Sequence, residues 1–181
     1  MADSELAVFW HHDALKHDPG RGCFENEASP LMEVDEPHPE TAARIVNIQS
    51  ILQRGDIADR IAWHDGRHAT RDEIERFHTA EYVDEVIEAE TRAPVRIDGS
   101  GTVVNIGTVD ASFAAAGTTI QALDRVLARD DRAAYALVRP PGHHAARTMA
   151  EGNCIFNKVA IAVETALANG CEKVAVIDWD V

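Results

Sequence analysis

The chain holds three cysteines, Cys23, Cys154 and Cys171, and no Cys-x-x-Cys pair. An odd, widely spaced set builds neither a disulfide framework nor a zinc knuckle, and it fits a reducing compartment. Met1-Ala2-Asp3-Ser4-Glu5 offers neither the basic n-region nor the apolar core of a signal peptide. Charges interrupt every apolar stretch well short of a membrane span. Basic residues are scarce too: 17 against 31 acidic ones, for a formal net charge of -14. Such a surface repels phosphate backbones, so nucleic acid is excluded as a partner. The same charge would tolerate a cationic substrate, although solubility alone also accounts for it. Internal repeats, low-complexity tracts and linkers are missing as well. The expectation is a soluble, cytoplasmic protein with no membrane partner.

What is present is enough apolar sequence for one core, 45% of 181 residues. Leu6–Trp10 reads as a first strand, followed by a polar, turn-rich stretch over 13–37 expected to be a surface loop. A helix is predicted from Pro39-Glu40-Thr41 to Gly55, with Ile45, Ile48, Ile51 and Leu52 on its inner face. Ile57–Trp63 reads as a strand, and Arg71–Glu90 as a helix burying Ile74, Phe77, Val83 and Val86. Thr91–Thr108, with Pro94, Gly99, Gly101 and Gly107, reads as a loop. Val109–Ala128 reads as a helix and Ala134–Val138 as a buried strand. Ile155–Leu167 reads as a helix stopped by Asn169-Gly170, and Val174–Val181 as a final strand. Alternating strands and helices imply parallel βαβ units in an α/β fold. The sequence ending inside a strand suggests a missing remainder. An unpaired final strand and exposed core edge would favour self-association into a homo-oligomer.

Two clusters carry chemistry. Arg139-Pro140-Pro141-Gly142-His143-His144 follows a buried strand, where ligands bind in open α/β sheets. The prolines and glycine make a rigid exit, and adjacent imidazoles can divide acid and base roles. The second cluster is Asp178-Trp179-Asp180-Val181. Aspartates two apart on a strand face one side, roughly 6.6 Å apart at 3.3 Å per residue. A buried carboxylate pair repels itself unless a cation or protonated base lies between them, and a divalent metal is the economical explanation. The bland alternative is a strand ending at Ile177 with both aspartates solvated.

Five segments in one order resemble the class II histone deacetylase and acetylpolyamine amidohydrolase family. They are His38-Pro39-Glu40 with Arg44-Ile45, Phe77-His78-Thr79 through Tyr82-Val83, Arg139–Ala145, Gly152–Asn157 and Asp178–Val181. The resemblance implies a three-layer, arginase/deacetylase-like α/β fold with a central, mainly parallel sheet, incomplete in this chain. Residues 1–181 would be the N-terminal part of a single deacetylase domain. It also implies zinc-assisted hydrolysis of an acyl-amide, with acetylated lysine in a protein, an acetylated polyamine or a small amide as substrate. By motif position, Asp180 would be a zinc ligand and His144 the general base. His143 would be the second catalytic histidine, with Asp178 orienting its imidazolium. Gly152 and Asn153 would line the substrate channel, and Asn153 stands where most relatives carry Phe. Main-chain carbonyls around Asp178 and Asp180 would belong to a potassium site. The resemblance puts the next zinc ligand directly after Val181 and a further aspartate and tyrosine beyond it.

Other residues read as structural: His38 as a loop-packing group, His78 and Tyr82 as packing residues one helical turn apart, and Cys154 as a buried hydrophobe. Asp13, His17 and Asp18 could mimic metal ligands, but a solvated rim is the simpler reading, and His11-His12 shows no obvious chemistry. A binuclear manganese ureohydrolase shares the fold and is disfavoured by the His143-His144 and Asp178-Trp179-Asp180 pattern. A non-catalytic fragment that binds acyl-lysine or a partner is the alternative from another class.

Overall fold

A strand covered on both faces must be apolar along its length, and Leu6–Trp10 (β1) is. A computed structural model describes residues 6–23, 26–27, 29–97 and 101–180. The chain continues through a 3-10 turn (His12–Leu15), β2 (Arg21–Cys23), β3 (Asn26–Glu27), β4 (Glu36–Pro37), α1 (Ala42–Arg54) and β5 (Ile61–Asp65). Then come α2 (Arg71–Ile74), α3 (Ala80–Thr91), β6 (Val95–Arg96), β7 (Val103–Val104), α4 (Thr108–Leu127), β8 (Ala134–Ala136) and α5 (Lys158–Ala168).

The central sheet runs β5-β1-β8. Both pairings are parallel, with Val8 opposite Trp63 on one side and Tyr135 on the other. Alternation along β1 sends successive side chains to opposite faces. Val8 packs with Ile45 of α1, while Ala7 and Phe9 pack with Ala122 of α4. The result is three layers, helix–sheet–helix, as expected of the fold class. A further core joins α2, α3, α4 and α5 around Ile74, Val83, Val86, Ile120, Phe156 and Ile161. Among the described residues no helix is long and apolar enough to cross a membrane.

Several sequence expectations are corrected. The predicted helix over 71–90 is two helices, because Thr79 caps a new one by accepting the Tyr82 N–H. Thr70 and Glu73 close a capping box at the start of α2. α5 starts at Lys158, not Ile155, because the Asn157 side chain accepts the Ala160 N–H. On α1, Ile45 is buried but Ile51 is 67% exposed. Six residues of helix rotate Ile51 about 120° away from Ile45, whereas Leu52 returns to the same face. The strand expected from Ile57 begins at Ile61, and the loop over 91–108 contains the β6–β7 hairpin.

The stretch over 13–37 is not simply a surface loop. It contributes a 3-10 turn and a small antiparallel sheet, β3-β2-β4, and it buries Asp13 and His17. The final strand is the largest departure: residues 172–180 are exposed and belong to no strand. Apolar, β-branched composition favours a strand only where a ladder partner is available, and among the described residues β8 pairs only with β1. Asp178 and Asp180 are therefore exposed, not a buried pair. Gly99 and Val181 lie outside the described residues.

Candidate active site

β8 feeds directly into the first cluster, with the Leu137 N–H donating to Phe9 O to hold the strand exit against β1. Two residues on, Arg139 is buried and uses all five of its N–H groups. Its Nε donates to Glu40 Oε1 at 3.0 Å and Nη2 to Glu40 Oε2 at 2.6 Å. Nη1 donates to the carbonyls of Ala14 and His17, and Nη2 also to that of Glu40. This planar fork ties β8, the 3-10 turn and the start of α1 together. His17, against Glu40 and Thr108, is pushed down to about 4 by burial, so it is neutral at pH 7.

Beyond Arg139 the loop is gripped from α5. The Lys158 ammonium is buried and donates to Pro140 O at 2.6 Å, and burial lowers its pKa to about 8. Asn157 Nδ2 donates to the carbonyls of His143 and Ala145, while its Oδ1 caps α5. Gly142 leaves no room for a side chain, since a Cβ there would lie 2.5 Å from Phe156 O. His78, expected beside Tyr82 on a helix, instead sits in the turn before α3. Its Nε2 accepts the Asn157 N–H, so its Nδ1 donates to Arg147 O, and burial holds its pKa down at about 4. Tyr82 hydroxyl donates to Ile155 O.

These supports place His143 and His144 edge to face, with ring centroids 4.2 Å apart and planes at 79°. Asp178 Oδ2 lies 3.1 Å from His143 Nδ1, and Asp180 Oδ2 lies 3.2 Å from His143 Nε2. The two carboxylates thus face one ring from its two nitrogens, and the Asp180 N–H closes the turn on Asp178 Oδ1. His144 borders Gly152, whose φ is +55° and whose Cβ, if present, would lie 2.8 Å from His144 Cδ2. Asn153 also has positive φ, 65°, and its N–H donates to Thr102 Oγ1.

His143, His144, Gly152, Asn153 and Asp180 line one cleft of about 690 Å³, together with Glu40 and Arg44. Asp178 lines a neighbouring cavity of about 390 Å³, which His143 shares. The six candidate residues are therefore brought into one neighbourhood. Nothing in the chemistry of the motifs assigns a role to Glu40, Arg139, Asn157 or Lys158, although each lies in or next to one of them. A buried arginine just before a Pro-Pro-Gly exit is itself a signal, because it demands a buried carboxylate partner. Cys154, beside the site, is fully buried, and burial raises its thiol pKa, as suits a packing residue.

The donor chemistry suits a borderline divalent ion. His143, His144 and Asp180 each present a ligand atom, all within 4.8 Å of one another. Fold and site together define an α/β protein in which the exit of β8 sets paired imidazoles against two carboxylates beside an open cleft. Comparison with known proteins agrees. Residues 38–181 match the histone deacetylase domain. The chain is 43% identical to Histone deacetylase 8 of Arabidopsis thaliana over 183 residues, covering 100% of this chain and 48% of that protein. It is 35% identical to the human Polyamine deacetylase HDAC10 over 158 residues, covering 84% of this chain and 23% of that one. The crystal structure of the HDA15 HD domain superposes with a TM-score of 0.83 at 31% identity, over 98% of this chain and 48% of that one. The chain belongs to the histone deacetylase family. It spans about half the length of Histone deacetylase 8 and less of the human polyamine deacetylase.

Proposed function

We propose that this protein is a metal-assisted amidohydrolase that removes an acetyl or related acyl group from an amine. The observation that carries this reading is the convergence of His143, His144 and Asp180 at one cleft, with Asp178 against His143 from the neighbouring cavity. In the reading, His144 is the general base that takes a proton from the attacking water. His143 is the second histidine, held in place by Asp178 at Nδ1. Gly152 gives His144 its space and lines the substrate channel, and Asn153 makes one channel wall polar. Asp180 holds zinc, together with ligands that the family resemblance puts after residue 181. Bound zinc lowers the pKa of a coordinated water to about 7 and polarises the amide carbonyl. Backbone carbonyls near Asp178 and Asp180 provide part of a potassium site.

The substrate class is an acyl-lysine side chain or an acylated polyamine. The net charge of -14 suits the ammonium groups that an acylated polyamine retains, and the protein acts in the cytoplasm. The test is steady-state turnover of an acetyl-lysine peptide and an N-acetylated polyamine by the natural full-length protein and its His144→Ala variant. Loss of a positioned base should lower kcat by on the order of 10²–10⁴-fold. Near-normal turnover by the variant would remove His144 from the role of base.

A further inference from the structure

The ends of β1 and β5 gather a second group of imidazoles, contributed by residues His11 and His12 on one side and His68 on the other. All three surround Asp13, whose side chain is only 7% exposed. His68 Nε2 lies 2.7 Å from Asp13 Oδ2, and His12 Nε2 lies 3.0 Å from Oδ1. His11 Nδ1 is 3.8 Å from Oδ2. The His11 and His12 rings stack with centroids 4.6 Å apart, and the His68 ring meets His11 edge-on at 4.9 Å. His11, His12 and Asp13 each offer a ligand atom within 4.8 Å of the others.

We propose that His11, His12, Asp13 and His68 form a metal site separate from the candidate active site, for a divalent ion of borderline softness such as Zn2+. His11, His12 and Asp13 already stand within reach of one ion, and His68, held on Asp13, would turn in as the fourth donor that tetrahedral zinc takes. The carboxylate is anchored in the protein, whereas His12 and His68, 74% and 38% exposed, are free to adjust around an ion. Two groups now stand where the metal would act. The Asp13 N–H donates to His11 Nδ1, and this bond yields if Nδ1 becomes a ligand. Lys16 Nζ lies 3.0 Å from Asp13 Oδ1 and 2.6 Å from Asp110 Oδ2, so it can retreat to Asp110. An ion here would fix the 3-10 turn whose Ala14 carbonyl receives Arg139, stiffening the loop beside the cleft without touching substrate.

Co2+ titration followed by its visible absorption tests the proposal, in the natural full-length protein carrying Asp180→Ala to remove the other metal. That variant should bind one Co2+ per chain, displaced by Zn2+. Adding His12→Ala and His68→Ala should weaken binding by more than the roughly 10–100-fold expected for loss of an outer partner. Lys16→Gln should tighten it about tenfold by removing a positive charge close to the ion. If the double histidine variant fails to fold, His12→Ala alone supplies the reading, because that side chain is mostly solvent-exposed. Absence of Co2+ binding in Asp180→Ala, binding indifferent to the histidines, or no tightening with Lys16→Gln would each overturn the proposal.

Discussion

Glu40→Gln removes one charge from a buried pair and leaves the other stranded. Arg139 and Glu40 are 3% and 5% exposed, with two side-chain hydrogen bonds between them, at 2.6 and 3.0 Å. Breaking a buried pair on one side costs about 3–5 kcal/mol, because the remaining ion keeps its desolvation penalty without its partner. Arg139 keeps the carbonyls of Ala14, His17 and Glu40, so the lower end, about 3 kcal/mol, is expected for Glu40→Gln. Arg139→Met leaves the buried Glu40 carboxylate without the cation it is hydrogen-bonded to, and should cost nearer 5 kcal/mol. The double variant Glu40→Leu with Arg139→Met should lose less than the sum, since neither charge remains buried. Urea unfolding of the natural full-length protein, as a double-mutant cycle, measures this. Additive losses, or a Glu40→Gln cost below about 1 kcal/mol, would show that the pair does not hold the loop as described.

Gly152→Ala should lower kcat by about tenfold or more: the new Cβ falls 2.8 Å from His144 Cδ2, and misplacement by an ångström can cost about 10²-fold. It should also cost about 1–2 kcal/mol for the positive φ. Unaltered kcat would mean that His144 is not held against that glycine. Acid sensitivity follows from His17 and His78, both lowered by burial to about 4. The unfolded chain takes up these protons near 6.5 and the folded one only near 4, so their contribution is intact above pH 6.5 and is lost between 6.5 and 4. At about 1.4 kcal/mol per pH unit per group, as an upper bound, stability should fall by a few kcal/mol from pH 7 to pH 5. A flat urea midpoint over that interval would contradict the burial of neutral histidines.

Local patterns told most of the fold. The apolar run Leu6–Trp10 is the central strand, Gly55 ends α1, and Asn169-Gly170 ends α5, with Gly170 at φ +92°. Short-range capping decided what periodicity missed: Thr79 restarts a helix inside a run whose apolar spacing looks continuous, and Asn157 delays the start of α5. Asp178 and Asp180 both lie against His143, but from an exposed segment and not from the strand whose alternation predicts a buried pair. Their burial was not legible, because burial depends on strand neighbours that a local pattern does not contain. Arg139 with Glu40 was illegible for the same reason. Their pairing spans 99 residues, and nothing in either segment alone names the other. Asp13 and His17 read as rim groups because their neighbours are polar, yet His68 and Arg139 arrive from distant segments and, with the adjacent Lys16, make burial tolerable.

Acetate release is the most direct test of the account, measured with an N-acetyl-lysine peptide and an N-acetylated polyamine on the natural full-length protein and on Asp180→Asn. Stoichiometric acetate is expected from at least one of the two substrates, and its loss in Asp180→Asn together with loss of bound zinc. Turnover that survives in Asp180→Asn with zinc still bound, or no acetate from either substrate by a zinc-loaded wild type, would contradict it.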